Sequence, residues 1–450
     1  MMLRAMGLSD AYMYYANSGR STSMEIKIPL TMREPVNVFL LGRAADQALA
    51  LFPEFAVRPV ICGGKPMFEE NHAPVRVITA PDDGTFSLDY GTEDTNGHVL
   101  FFLADSRDAR RVTFCYYHAM SDFVGGMALL KTVLYRYSLL LGLVPEVSPE
   151  ELAAAGVRTA VPDRWDRAEN LDPYAVFGRP ADAAGEGGMP PMAFLPPVEI
   201  YPWGNDYNHI YDVHLSSSAF HQKAKSFGTS FAPLLVCLLA DAADSLWHAG
   251  SRPVGVALPI DMRPLFGANT VTNFSDSVLF FCTEEDRALP VSQRCAMLTK
   301  SLKEQRTADR AQPIIYGKAQ QTRSFLEAEE GYLATAARLT ALPAPGTPFP
   351  EGPVTLGLTY PGRLDLPACC TAPVAHVGVE SVINLTKLFS IVSTCGDDMT
   401  VSLIQRFDGA EYAEALGREL DRLGLTHTLA DRGRRRQDCM DPARLKVVEL

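Results

Sequence analysis

The sequence predicts an α/β (α+β) protein of two lobes, and three observations carry that expectation. At 450 residues the chain exceeds what a single hydrophobic core ordinarily supports. Segments in which apolar residues alternate are interleaved, in both halves, with segments in which they recur at helical spacing. Between the halves, residues 142–202 are dominated by Pro, Ala, Gly and acidic side chains, the composition of a linker draped over a surface. The boundary is placed near residue 190. The expected parts are therefore 1–190, the first lobe with its crossover linker, and 191–450, the second lobe ending in a basic tail from about 427.

Taken in order, residues up to about 23 carry no clear periodicity. Residues 24–29 alternate like a strand, and 35–51 form a helix opened by Pro35 near its first turn. Residues 55–62 are a strand that turns at Gly63-Gly64-Lys65-Pro66 and returns; the glycine pair lacks phosphate-loop spacing and marks a hairpin. Residues 99–103 and 112–117 are two strands joined by a polar turn. In the second, Val112, Phe114 and Tyr116 alternate with Thr113, Cys115 and Tyr117, the pattern of a half-buried strand. The period then changes: Phe123, Met127, Leu130, Leu134 and Tyr137 place one apolar helix face inward.

The second lobe opens with a strand at 210–215. Ser216 to Ser218 cap a helix over 219–227, Gly228 ends it, and Thr229 or Ser230 caps an apolar helix over 231–248. Strands follow at 254–259 and 273–282, then a polar helix to about 310. Further strands are expected at 354–358, 374–379, 387–394 and 399–407, and an amphipathic helix at 409–423. Arg432 to Arg436 is basic with no interleaved aromatics and is taken as a solvated tail.

Composition excludes several classes. Hydrophobic residues make up 47% and charged residues 21%, as in a soluble globular protein. A formal net charge of −12 argues against nucleic acid or an anionic membrane as a general partner. No apolar run reaches membrane-spanning length and no signal peptide is read at the start, so a cytoplasmic protein is expected. The nine cysteines lack framework or zinc spacing, which fits reduced thiols; Cys369-Cys370 is taken as two buried thiols, and no metal is expected.

Chemistry concentrates at His118-Ala119-Met120-Ser121-Asp122, between the strand at 112–117 and its helix. A histidine there takes and returns a proton near neutrality. The competing reading is a satisfied core histidine followed by an ordinary N-cap aspartate. Gly228 to Ala232 lacks the last glycine of a nucleophile elbow and its preceding strand, and is read as capping. Cys115 and His118 are three residues apart across a strand-to-loop junction, a spacing that gives a thiol–imidazole pair no contact.

In order along the chain, Tyr117-His118-Ala119-Met120-Ser121-Asp122-Phe123, Pro259-Ile260-Asp261-Met262-Arg263, Thr272-Asn273-Phe274 and Tyr360-Pro361-Gly362-Arg363-Leu364-Asp365 form a set spanning most of the sequence. The set resembles the chloramphenicol-acetyltransferase-like superfamily. That superfamily includes nonribosomal-peptide condensation domains, alcohol acetyltransferases and mycobacterial polyketide-associated acyltransferases, and its signature is H-H-x-x-x-D-G. The resemblance implies two lobes, each a mixed sheet with flanking helices, and a tunnel between them. It implies an acyltransferase without a cofactor, moving an acyl group from acyl-CoA or from the acyl-phosphopantetheine arm of an acyl or peptidyl carrier protein to an alcohol or amine. His118 would be the general base, with no acyl-enzyme. Asp122 would pair with Arg263 across the lobes, although Arg263 also reads as a surface helix start. Asn273 would line the tunnel or bond the developing oxyanion, or else cap a strand end. Tyr360 to Asp365 would shape the crossover, and a monomer is the expected state. Tyr117 replaces the first His of the signature and would support the loop. Phe123 replaces its Gly and would narrow the tunnel, with Gly125 and Gly126 relieving the crowding. The alternative implied by Phe123 is a catalytically impaired relative that binds a carrier protein or acyl chain.

Overall fold

The computed structural model describes residues 3–16, 24–144, 147–161, 172–178, 190–202, 207–339, 341, 350–364, 366–380 and 386–449. The strand Arg111–Tyr117 is central to a five-stranded mixed sheet whose order is Val374–Val377, Glu25–Met32, Arg111–Tyr117, Leu100–Asp105, Val77–Ala80. The last pair is parallel and the others antiparallel. Every residue from Val112 to Tyr117 is buried, so this strand is covered on both faces where its alternation predicted one. Phe102, Phe114 and Tyr116 share the face under the helix Phe123–Leu140. Tyr117 points the other way, in edge contact with Tyr14 of the helix Leu8–Ala16 and tilted against Tyr90.

That placement explains why Phe123–Leu140 is buried on more than the one expected face. Gly125, Gly126, Leu130, Val133 and Tyr137 are all enclosed, because the helix Val38–Leu49 packs beside it and the second lobe lies against its start. Gly63 and Gly64 adopt φ of 55° and 75°, the left-handed values of a two-residue turn, and join Val57–Cys62 to Lys65–Glu70 as expected.

The second lobe is a seven-stranded mixed sheet in the order Ser275–Cys282, Val254–Asp261, Leu356–Thr359, Leu388–Cys395, Asp398–Gln405, Tyr207–Ser216, His427–Arg436. Leu356–Thr359 runs parallel to both its neighbours. The apolar helix Phe231–Trp247 and the helix Glu411–Arg422 pack on it and close a second hydrophobic core. Each lobe thus has its own core.

Several elements differ from the sequence reading. Leu8–Ala16 is a helix, started by Asp172, whose carboxylate accepts the amides of Leu8 and Ser9 from 163 and more positions away. Ala308–Leu326 and Gly331–Leu339 are helices where none was expected. The first buries Ala311, Ile315, Ala319, Thr322 and Phe325, of which only Ile315 and Phe325 are large apolar side chains, and it contains Pro313. The supposed solvated tail is a strand: His427–Arg436 pairs antiparallel with Tyr207–Ser216. Its arginines are neutralised by acidic partners, Arg432 by Asp212 and Glu380 and Arg434 by Asp408, so their charge is compatible with a sheet edge. Beyond it, Lys446–Val448 pairs parallel with Val57–Cys62 of the first lobe, and Val374–Val377 also crosses over to pair with Leu30–Met32. The described parts of the expected linker include the short helices Pro149–Ala154 and Pro173–Phe177, while 162–171 and 179–189 lie outside the described residues. Among the described residues no single helix is long and apolar enough to cross a membrane.

Candidate active site

His118 directly follows the buried strand Arg111–Tyr117, and its amide is held by the Met24 carbonyl at 3.0 Å. The next turn delivers Asp122 as N-cap of Phe123–Leu140, with extended φ,ψ of −75° and −178° and its side chain accepting from the Val124 and Gly125 amides. The loop is thus anchored at both ends by regular structure, which fixes the imidazole in the wall of a cleft between the lobes.

Asp122 also reaches across the lobes. Arg263, at the start of the short helix Arg263–Phe266, donates to both Asp122 oxygens at 3.0 and 2.9 Å, and the Phe274 amide adds a bond at 2.9 Å. The two side chains are only 8% and 7% exposed. Arg263 spends its remaining N–H groups on the Thr270 and Thr272 carbonyls, both at 2.6 Å, and on Asp261 at 2.9 Å. A charge pair this enclosed persists only because each partner is fully hydrogen-bonded. Arg263 is therefore the inter-lobe partner of Asp122 and not a surface residue.

Asn273 takes a place the sequence left open. Its Nδ2 donates to the carbonyls of His118 and Ala119 at 2.9 and 3.1 Å, so its Oδ1 faces His118 Nδ1 at 3.1 Å. Both amide hydrogens are consumed, which leaves none for an oxyanion; that part of the sequence reading is corrected. The same arrangement assigns the tautomer. Nδ1 carries the hydrogen, and Nε2 carries the lone pair. Burial lowers the His118 pKa below the ordinary histidine value, partly opposed by its own backbone carbonyl, the Asp122 charge and Asn273. The imidazole is accordingly neutral at pH 7.

The place expected for Gly125 and Gly126 beside the tunnel is corrected. Gly125 and Gly126 do not line the cleft. A Cβ on Gly125 would lie 1.9 Å from the Val271 carbonyl oxygen, and one on Gly126 would lie 2.2 Å from the Tyr116 hydroxyl. These glycines permit close packing of the helix against the other lobe and its own sheet. Tyr117 lies in the first core, behind the loop.

The cleft has a volume of about 190 Å³. His118 and Phe123 line it together with Val124, Ile260, Tyr360 and Ile391. Phe123 thus borders the cleft at the position of the signature's glycine. Sequence reasoning assigned no role to Ser275, Thr359 and Asp261, which line the same cleft. Ser275 lies two residues past Asn273 and directly opposite Asp261 in the antiparallel ladder, so the two share a face. Tyr360 stacks on Phe231 with ring centroids 4.1 Å apart, and forms a wall of the cleft; Asp365 lies outside the described residues.

No family model and no curated protein matches the sequence. Solved structures do match the fold. Polyketide synthase associated protein 5 from Mycobacterium tuberculosis is similar over 92% of this chain and 96% of its own, with a TM-score of 0.56 and 14% identity. F. sporotrichioides TRI101, solved in complex with coenzyme A and T-2, is similar over 96% of this chain and all of its own length, at TM-score 0.62 and 12% identity. The condensation domain of the monacolin K polyketide synthase MokA covers 94% of this chain and 97% of itself, at TM-score 0.54 and 11% identity. What these proteins share with the chain is architecture: it has the two-lobed, mixed-sheet fold of the chloramphenicol-acetyltransferase-like type that its motif order implied.

Proposed function

We propose that the protein is an acyltransferase that moves an acyl group from a CoA or carrier-protein thioester to an alcohol or amine. The observation that carries this reading is a neutral imidazole at an inter-lobe cleft with Nδ1 held by Asn273 and Nε2 left with the lone pair. In the proposed reaction Nε2 removes the proton of the acceptor as its oxygen or nitrogen attacks the thioester carbonyl. The C–S bond then breaks, and the imidazolium returns the proton to the leaving thiolate. Holding donor and acceptor beside one base is sufficient chemistry, and no enzyme nucleophile is required. Ser275 and Thr359 line the same cleft, and in this reading their hydroxyls would be the donors to the developing oxyanion. Asp122 and Arg263 fix the loop and take no part in proton transfer. The protein would act as a cytoplasmic monomer, receiving a carrier-bound donor from a separate protein.

The test is thiol release from a panel of acyl-CoAs with alcohol and amine acceptors, comparing wild type with His118→Ala. Acceptor-dependent release that is lost in the variant is expected. Release that persists in a folded His118→Ala protein overturns the reading. A second reading rests on Phe123 and the small volume of the cleft: a catalytically impaired protein that holds an acyl chain or carrier protein. Under it, wild type is close to inactive and Phe123→Gly raises transfer sharply; under the first, Phe123→Gly changes substrate preference and leaves turnover of the same order.

A further inference from the structure

Among the described residues lining the cleft there are two carboxylates, Asp122 and Asp261, and one guanidinium, Arg263. The imidazole is neutral, so the described lining carries one surplus negative charge. Asp122 is spent: Oδ1 accepts from Val124, Gly125 and Arg263, and Oδ2 from Phe274 and Arg263. Arg263 is spent as well, because its Nε, both Nη1 and both Nη2 hydrogens are accounted for by Thr270, Asp261, Asp122 and Thr272. Asp261 is different. Its Oδ1 takes both the amide and the Nη1 of Arg263, while Oδ2 has no hydrogen-bond or ion-pair partner among the described residues. The side chain is 34% exposed and opens to the same cleft as His118. Arg363, near Tyr360, is exposed and is not part of the lining.

We infer that Asp261 is a specificity-determining residue that selects an acceptor carrying a positive charge beside its nucleophile, such as an amino alcohol or a diamine. The inference rests on the acyl-transfer reading above. An ammonium bound at Asp261 Oδ2 would be met by a charge-assisted hydrogen bond in a partly desolvated cleft, where the same carboxylate disfavours anionic acceptors. The hydroxyl or second amine of that ligand would then be the group presented to His118 Nε2. Apolar walls from Ile260, Val124 and Ile391 suit the short methylene chain between the two.

The probes are propanolamine and its uncharged isostere n-butanol. Their binding to wild type and Asp261→Asn is measured by ligand-observed NMR, and their acylation from acyl-CoA is measured alongside. Wild type should bind propanolamine on the order of ten-fold or more tightly than n-butanol, with the gap shrinking at high salt. Asp261→Asn keeps an oxygen for Arg263, so it should unfold close to the wild-type temperature while losing the preference. Equal affinities in wild type, no binding of either probe, or a preference that survives in Asp261→Asn each overturn the inference. An equal loss for both probes does so too, since it assigns Asp261 only to holding Arg263. The binding arm does not depend on turnover. Cation preference without His118-dependent thiol release defeats the acyltransfer reading alone, and release without preference defeats the inference alone.

Discussion

At the scale of single residues, the site depends on which imidazole nitrogen is left with a lone pair, and Asn273 decides it. Under the proposed mechanism, Asn273→Ala should lower kcat by about ten- to hundred-fold with little change in KM, because a misoriented base would forfeit part of the ~10²–10⁴ that general-base catalysis contributes. Burial holds the neutral form of His118, so the folded pKa lies below the ordinary value of about 6.5. The rate should therefore rise with pH through an acidic limb below that value and be flat at neutrality. Asn273→Asp places a carboxylate beside Nδ1, which stabilises the imidazolium and should move the limb upward; a pH–rate profile of the two proteins checks the sign. Arg263→Ala leaves Asp122 buried without its counter-charge and should cost about 3–5 kcal/mol, read by denaturant unfolding. His118 and Asp122 were legible from the sequence, since both belong to one local strand-to-helix junction. The roles of Asn273 and Asp261 were not. Each is set by an atom-level choice, which oxygen or amide hydrogen remains uncommitted, that only the packed neighbours determine.

At the scale of elements, the helix Phe123–Leu140 transmits the position of the loop to both lobes. Its existence, its start at Asp122 and its register followed from apolar spacing and a capping residue. Its surroundings did not, because the first turn is defined by contacts with the other lobe: Ser121 Oγ donates to the Val271 carbonyl at 2.6 Å, and Gly125 lies against the same carbonyl. Gly125→Ala should push the 270–274 segment away and destabilise the protein by about 1–3 kcal/mol, the usual cost of overpacking. It should also lower thiol release, because Asn273 and the carbonyls that hold Arg263 lie on that segment. A variant with wild-type thermal stability and activity would contradict this account of the helix start. The helix Ala308–Leu326 shows the limit of periodicity from the other side. Its buried stripe holds only two large apolar side chains, Ile315 and Phe325, with Ala311, Ala319 and Thr322 between them, and Pro313 near its start argues against a helix.

At the scale of the whole molecule, the C-terminal segment joins the lobes. Arg435 donates to the Asp82 carbonyl at 2.8 Å, the Arg436 amide to the Gly84 carbonyl at 2.7 Å, and the Leu88 amide to Asp438 at 2.7 Å. Asp438 also pairs with Lys27 at 3.1 Å, and Lys446 with Glu69 at 2.8 Å. Removing residues 437–450 should cost on the order of 3 kcal/mol or more, the penalty for breaking a buried ion pair, and should expose the edge of Val57–Cys62. Thermal unfolding and limited proteolysis of the truncated chain would check this; unchanged stability would show that the segment is dispensable. The sequence by itself determined the alternation of strands and helices, the polar junction at His118 and, through the order of its motifs, the two-lobed fold. The first two are encoded by periods and caps within about a turn or two of each residue, and the third by a resemblance that runs along the chain. Tertiary structure alone decided that a basic tail is a sheet strand, that Asn273 orients the histidine, and that Asp261 keeps an uncommitted oxygen in the cleft. The physical reason is distance along the chain: Arg263 and Asp122 are 141 residues apart, and the energy of such a contact exists only once both lobes have folded and excluded water from it.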